Sequence, residues 1–235
     1  MEALLSIDGL LSLITLTFLE IVLGIDNIIF ISLVTQDLDP KIQPKARQLG
    51  IGLAMLFRVL MLLGITWLIG LTAPIFELGN HPVSGRDAIL FFGGVFLLAK
   101  ASTEIVKKTE GRGHVNERKS STLVGAIIQI GLLDIVFSFD SVLTAIGMTE
   151  NIAIMVIAVV ISMGIMLVFA KPIGDYIEKH VALQILALSF LIMIGTVLIA
   201  ESAHVEIPKP YVYSSVGFAL VVQLLSIRAA SKRRQ

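Results

Sequence analysis

The sequence has no cysteine and few charged residues, and each shortage excludes a class of chemistry or fold. Without cysteine the chain has no disulfide bonds, thiolate metal sites or thiol redox chemistry. Only 15% of its 235 residues are charged, whereas a soluble domain has about a quarter. The acidic and basic residues balance to a net charge of zero, so bulk electrostatics indicates no nucleic acid or other strongly charged partner.

Apolar residues dominate instead, and their distribution indicates a membrane protein. They make up 56% of the chain and form runs of about 20 residues, the length that a bilayer requires. A soluble protein with several fully buried helices is the alternative, but that reading does not explain the regular run length. We predict an all-α membrane protein with seven transmembrane helices, at roughly 10–34, 49–71, 88–106, 122–146, 152–170, 182–201 and 211–228.

The basic residues outside the spans alternate along the chain. Fourteen lie in the first, third and fifth loops and the C-terminal tail, and only Arg86 and Lys209 lie in the other connecting segments. Because lysine and arginine are retained on the cytoplasmic side, this asymmetry predicts an N-terminus outside and a C-terminus in the cytoplasm. Trp67 and Tyr211 fall at predicted outer ends, where amphipathic rings are favoured.

Two segments of the chain repeat the same acidic pattern. Residues 19–27 and 133–141 share L-[ED]-I-V-x-x-x-D-[NS] at an offset of 114 residues, and residues 94–102 resemble 195–203 at an offset of 101. A repeat of three spans crosses the membrane an odd number of times, so its second copy enters from the opposite side. We therefore predict a single domain with a 3+3 inverted-topology repeat. Its parts are repeat one (about 8–107), repeat two (about 121–204) and an extra C-terminal helix (about 210–229). Chance similarity between apolar helices does not readily give two carboxylates at one spacing.

The repeated carboxylates fall near the middle of spans one and four. An acidic residue at a helix centre costs about 2.5–3.5 kcal/mol on insertion scales, so four would cost on the order of 10 kcal/mol facing lipid. They must therefore face the protein interior or water, as residues on ion paths and proton relays do. In a straight helix Glu20 and Asn27 share a face, as do Asp134 and Ser141. Unwinding at Gly24 would be needed to turn Asp26 inward as well.

The donor set indicates a cation site. The acidic residues, Asn27 and Ser141 offer only oxygen, and the four histidines lie in loops or at span ends. Oxygen ligands suit Mg²⁺, Ca²⁺ and Mn²⁺, whereas Zn²⁺ and copper prefer imidazole and sulfur. Protons are natural competitors at such carboxylates.

Four other polar residues within the spans, Arg58, Lys100, Gln129 and Glu201, also have predicted roles. We predict that Arg58 neutralises part of the acidic cluster, with a structural ion pair as the alternative. Lys100 is close enough to a span end to extend to the interface, with a role as charge partner or path residue as the alternative. Glu201, its counterpart in the repeat, is predicted to be interfacial with a role in cation entry or exit. Gln129 either lines the path or forms a helix–helix hydrogen bond.

The motifs LEIVLGIDNIIF and LDIVFSFDSVLT resemble those of the TerC/Alx family of bacterial membrane proteins, and the resemblance covers nearly the whole chain. It implies a seven-span fold related to LysE-type exporters, location in the bacterial cytoplasmic (inner) membrane, and export of divalent metal, chiefly Mn²⁺. By that resemblance the metal-binding positions are Glu20, Asp26, Asn27, Asp134, Asp140 and Ser141.

The functional hypothesis is a secondary transporter that exports Mn²⁺ as its substrate, without a cofactor and without enzyme activity. No nucleotide-binding motif is present, so ATP does not drive it directly. One alternative is export of another cation, such as a basic amino acid. A second is a membrane sensor or metal-delivery partner that binds metal without transport. A third, an intramembrane aspartyl protease, lacks the glycine–any–glycine–aspartate motif of that class.

Overall fold

A computed structural model of the chain describes residues 6–36, 38–78, 81–110, 122–149, 151–205 and 207–232. Within these ranges the chain forms eight α-helices and one antiparallel hairpin. The helices are α1 (Ile7–Thr35), α2 (Gln43–Leu63), α3 (Ile65–Gly70), α4 (Gly85–Thr109), α5 (Leu123–Met148), α6 (Ile152–Glu178), α7 (Val181–Ser202) and α8 (Lys209–Lys232). The hairpin, between α3 and α4, pairs β1 (Pro74–Leu78) with β2 (His81–Ser84).

The long helices have the character of membrane spans. In the described part of the chain, six of them are long and apolar enough to cross a bilayer: α1, α2, α4, α6, α7 and, over Pro210–Ala229, α8. The long helix α5 contributes a shorter apolar segment, Leu123–Phe139. Phe18, Phe92 and Phe218 are each at least 67% exposed, as expected where lipid is the solvent. The predicted helical, multi-pass membrane protein is therefore confirmed, and six segments meet the criteria for a span.

Short polar signals fix where several helices begin. The Ser6 hydroxyl accepts a hydrogen bond from the Gly9 amide (3.0 Å) at the start of α1, and Thr122 does the same for α5. Ser84 and Asp87 form a reciprocal capping box at the start of α4. Each cap satisfies amides that have no partner within the first helical turn.

Three local features differ from the sequence prediction. The predicted span 49–71 is two helices, because Gly64 leaves the helical conformation between α2 and α3 (φ −87°, ψ 23°). Hydropathy does not mark this break, since both sides are apolar. Helix α6 continues past the predicted end at residue 170 to Glu178 and includes Pro172. The hairpin was not predicted at all.

The chain divides into two compact units, and the first contains α1, α2, α3, α5 and α6. In this unit α1 packs mainly against α6, and α2 against α5 and α6. The α2–α5 approach is close at Gly50, where an added Cβ atom would lie 2.9 Å from Ile130 Cδ1. This unit therefore brings together the two helices that carry the acidic motifs.

A buried arginine joins three helix ends in the first unit. Arg47, at the start of α2, is 5% exposed. Its Nε donates to Thr35 Oγ1 at the end of α1 (3.2 Å). Its Nη1 and Nη2 donate to Asp175 Oδ1 (3.2 Å) and Glu178 Oε1 (2.5 Å) in the last turns of α6. These contacts stabilise the last turns of α6, which extend beyond its apolar segment.

The second unit contains the hairpin, α4, α7 and α8. Helices α4 and α7 cross at two glycines: a Cβ atom on Gly94 would lie 2.6 Å from the Gly195 carbonyl oxygen, and one on Gly195 would lie 2.8 Å from that of Gly94. The backbones are therefore in contact, as small residues permit between membrane helices. Helix α8 packs on α7.

Candidate cation site

A buried ionic cluster lies in the first unit, between α1, α2 and α5. Glu20, Arg58 and Asp134 are only 2%, 1% and 4% exposed. Arg58 Nη1 donates to Glu20 Oε2, and Arg58 Nε donates to Ser138 Oγ at 2.9 Å. The same Nε lies 3.6 Å from Asp134 Oδ1. One guanidinium thus links both acidic motifs.

Each acidic motif contributes one buried stripe to this unit. Residues at i, i+4 and i+7 of a helix share a face, and in both motifs all three such residues are buried. The stripe of α1 ends with an amide and that of α5 with a hydroxyl. The members are Glu20, Gly24 and Asn27 on α1, and Asp134, Ser138 and Ser141 on α5.

Asp134 has a carboxylate whose oxygens both lack a hydrogen bond from the described residues. The Nδ2 group of Asn27 is likewise without a partner among them. Buried polar atoms are nearly always hydrogen-bonded, and leaving one unsatisfied costs about 1–3 kcal/mol, more for a charge. The described residues therefore leave both Asp134 oxygens able to accept a further partner, beside Arg58 Nε at 3.6 Å from Oδ1, and a cation is a natural partner of two carboxylate oxygens.

The charges of the cluster do not balance. Arginine stays protonated in proteins, so Arg58 offsets only one of the two carboxylates when both are ionised. With water excluded, an uncompensated charge costs several kcal/mol. With both carboxylates ionised, the cluster therefore favours a further positive charge, either a proton or a cation, and its oxygen donors suit Mg²⁺, Ca²⁺ or Mn²⁺.

The structure links two of the six predicted metal-site residues, Glu20 and Asp134, through Arg58, and Asn27 and Ser141 are buried on the same stripes of α1 and α5. Asp26 and Asp140 belong to the helical backbones of α1 and α5, but their side chains lie outside the described residues. Among the side chains that are described, no three histidine, aspartate or glutamate residues are placed together to hold a metal.

The unwinding at Gly24 that an inward-facing Asp26 would require is absent from α1. Helix α1 is continuous from Ile7 to Thr35, and the space that Gly24 leaves is filled by Met166 from α6, whose Sδ and Cε atoms would overlap an added Cβ. The glycine serves close packing rather than a helix break.

Sequence reasoning also missed Ser138, the hydrogen-bond partner of Arg58. It lies in the second acidic motif at the position matching Gly24, and its place between Asp134 and Ser141 on one helix face was the available signal.

The remaining predicted site residues are Gln129, Lys100 and Glu201. Gln129 is partly buried on α5, and its Nε2 group has no partner among the described residues, so its role on a path stays a prediction. Lys100 and Glu201 belong to the second unit. There Lys100 Nζ lies 3.0 Å from Glu104 Oε1, and Glu201 Oε2 lies 3.9 Å from Arg86 Nη2.

These features define a multi-pass helical membrane protein with a buried ionic cluster joining two repeated acidic motifs. The chain belongs to the TerC family: the family model described as "Integral membrane protein TerC family" matches residues 5–235. The predicted family membership is therefore confirmed.

Curated relatives support this membership over most of the chain. A UPF0053 protein of Haemophilus influenzae is 48% identical over 94% of this chain and 94% of its own length. The UPF0053 inner membrane protein YgdQ of Escherichia coli K12 is 47% identical over 92% of each chain. The longer UPF0053 protein YegH of the same organism is 44% identical over 95% of this chain but only 43% of its own length. No solved structure matches the chain.

Proposed function

We propose that this protein is a secondary transporter that exports a divalent cation, chiefly Mn²⁺, from the cytoplasm. The observation that carries the proposal is the Asp134 carboxylate, which is 4% exposed and accepts no hydrogen bond from the described residues. A carboxylate at the centre of a membrane helix is energetically costly unless it binds a cation or a proton. Mn²⁺ is the cargo in this proposal, and no catalysis or cofactor is assigned.

The proposal treats the chain as two inverted repeats of three spans with one extra span. Burial supports this correspondence, since an offset of 108 residues carries every buried residue of α2 onto a buried residue of α6. The seven in α2 are Ala46, Arg47, Gly50, Ile51, Ala54, Arg58 and Leu62. In the second unit, Gly94 contacts its own counterpart at the offset of 101, Gly195, as expected near a two-fold axis.

Inverted repeats favour a transporter over a static metal site. Such repeats place the substrate site where they meet and provide alternating access by rocking of one repeat against the other. Arg58 would act as the internal cation in this cycle: it holds Glu20 and lies beside Asp134, so an arriving divalent cation competes with it for the carboxylates. That competition keeps binding reversible, which transport requires.

The proposed location is the bacterial cytoplasmic membrane, with the N-terminus outside and the C-terminus in the cytoplasm. Its supports are the alternation of basic residues and the relative named as an inner membrane protein. Inverted membrane vesicles present the cytoplasmic face to the medium, so an exporter takes up its substrate from the medium.

The test is Mn²⁺ uptake into inverted vesicles from cells that express the protein. Asp134→Asn, Asp26→Asn and Asp140→Asn are compared with wild type, and Asp8→Asn, an exposed acid on α1, is the matched control. We expect saturable uptake in wild type and Asp8→Asn and its loss in the other three. Binding of Mn²⁺ without flux would favour the sensor or delivery role, and preferential uptake of another cation would replace Mn²⁺ as substrate.

A further inference from the structure

Helix α6 places one thioether against the acidic stripe of α1. Met166 is 2% exposed, and its Sδ and Cε atoms occupy the position where a Cβ on Gly24 would stand. Gly24 follows Glu20 by four residues and precedes Asn27 by three, so the three share one helix face. The rise along the helix places Gly24 about 6 Å from Glu20 and about 4.5 Å from Asn27. The sulfur therefore faces the stripe between its two polar side chains.

The repeat makes this position noteworthy. At the offset of 108 residues Met166 is the counterpart of Arg58, and both are buried. Arg58 contacts Ser138 on α5, and Met166 contacts Gly24 on α1. Gly24 is the counterpart of Ser138 in the repeat. Equivalent positions of the two repeats therefore carry different side chains, a guanidinium facing α5 in one and a thioether facing α1 in the other.

A thioether changes which cations an oxygen site prefers. Sulfur ligands favour softer transition metals, whereas carboxylate, carbonyl and hydroxyl oxygens favour Mg²⁺, Ca²⁺ and Mn²⁺ without strong discrimination among them. Methionine is also flexible and polarisable, so the side chain can turn toward a cation without leaving its packed position. The sequence has no cysteine, which leaves methionine as its source of sulfur ligands.

We propose that Met166 is a specificity-determining ligand, whose sulfur biases the Glu20–Asn27–Asp134 site toward softer transition-metal cations over Mg²⁺ and Ca²⁺. This inference rests on the proposed cation site. It extends that proposal by assigning the selection of transition-metal cations against Mg²⁺ and Ca²⁺ to one side chain.

The chain provides a matched control on the same helix. Met155 is also buried, at 1% exposure, and lies eleven residues before Met166. That spacing is about three turns, so the two methionines share a face but are about 16 Å apart along the helix. Leucine is close to methionine in volume, and such exchanges usually cost less than about 1.5 kcal/mol. Met166→Leu and Met155→Leu should therefore both fold.

The experiment measures equilibrium binding of Cd²⁺, Mn²⁺ and Ca²⁺ to the purified full chain. Cd²⁺ is the soft probe and Ca²⁺ the hard one. We expect Met166→Leu to lower the ratio of Cd²⁺ to Ca²⁺ affinity by about tenfold or more, equivalent to about 1.4 kcal/mol, and Met155→Leu to leave it unchanged. X-ray absorption of bound Cd²⁺ should show a sulfur neighbour in wild type that Met166→Leu removes.

An unchanged affinity ratio in folded Met166→Leu, or an equal loss for all three cations, would overturn the specificity role and leave Met166 as a packing residue. If wild type bound no divalent cation, both this inference and the proposed function would fall. A changed ratio together with absent Mn²⁺ flux would support the inference while overturning transport.

Discussion

Removal of the Arg58 charge should strongly destabilise the protein. Arg58→Met keeps an unbranched apolar side chain of similar length but leaves Glu20 and Asp134 without a cation. Both carboxylates are at most 4% exposed, so water cannot replace the guanidinium. Breaking a buried ion pair by removing one partner costs about 3–5 kcal/mol. For chains of this size 1 kcal/mol corresponds to about 2–4 °C, so we expect the melting temperature to fall by about 6–20 °C.

The assay is thermal unfolding in detergent, followed as the fraction that remains monodisperse after heating. Lys45→Met is the matched control, because Lys45 is an exposed cation on the same helix and its loss should change stability by no more than about 0.5 kcal/mol. The double variant Glu20→Gln/Arg58→Met removes both charges of the direct pair and should be more stable than Arg58→Met alone. Equal shifts for Arg58→Met and Lys45→Met, or additive effects in the double variant, would refute a coupled buried pair.

Three further predictions follow from the same contacts. Millimolar Mn²⁺ should raise the melting temperature of Arg58→Met more than that of wild type, because the site of the variant gains a net negative charge. Ligand binding stabilises a protein by about 2.7 kcal/mol at a hundredfold excess over Kd. Equal shifts would contradict competition between Arg58 and the cation. Arg47→Met should cost less than Arg58→Met, about 1–3 kcal/mol in thermal unfolding, because Asp175 is 45% exposed and water can solvate it; a larger loss would contradict this. Gly94→Ala should destabilise by about 1–3 kcal/mol through overpacking, whereas Gly52→Ala, with nothing within 4 Å of the added Cβ, should be neutral or stabilising; similar melting temperatures would refute the backbone contact.

The features predicted well from sequence were those with a local or periodic signal. The apolar runs marked the positions of the long helices, because bilayer thickness sets their length. The six-residue spacing of Glu20 and Asp26, repeated at Asp134 and Asp140, marked the two helices that Arg58 links in the structure. Helical periodicity then predicted that Glu20 and Asn27 would share a face, and both are buried.

The features that were missed depend on contacts between distant segments. Arg58 and Ser138 are 80 residues apart in sequence, and nothing in either segment alone specifies that pairing. The end of α6 beyond its apolar run is similar, since Asp175 and Glu178 are read as loop residues until Arg47 is placed beside them. Gly64 breaks a helix inside a uniformly apolar stretch, where hydropathy carries no information about backbone conformation.

The assignment of Gly24 shows how one residue type supports opposite expectations. A glycine between two intramembrane carboxylates is compatible with a broken helix, as in many ion sites, and equally with close helix packing. The position of Met166 decides between them here, because the thioether fills the space beside a continuous helix. Only the packing partner distinguishes the two roles.

The most direct test of the central claim is Mn²⁺ binding to the purified protein, measured by electron paramagnetic resonance as loss of the free aqueous signal. Wild type and Asp134→Asn are titrated beside Asp175→Asn, which removes a carboxylate of the first unit that belongs to the Arg47 cluster instead. The account predicts a saturable site in wild type and Asp175→Asn that is abolished or greatly weakened in folded Asp134→Asn. Equal binding by wild type and Asp134→Asn, or no binding by any of them, would contradict it.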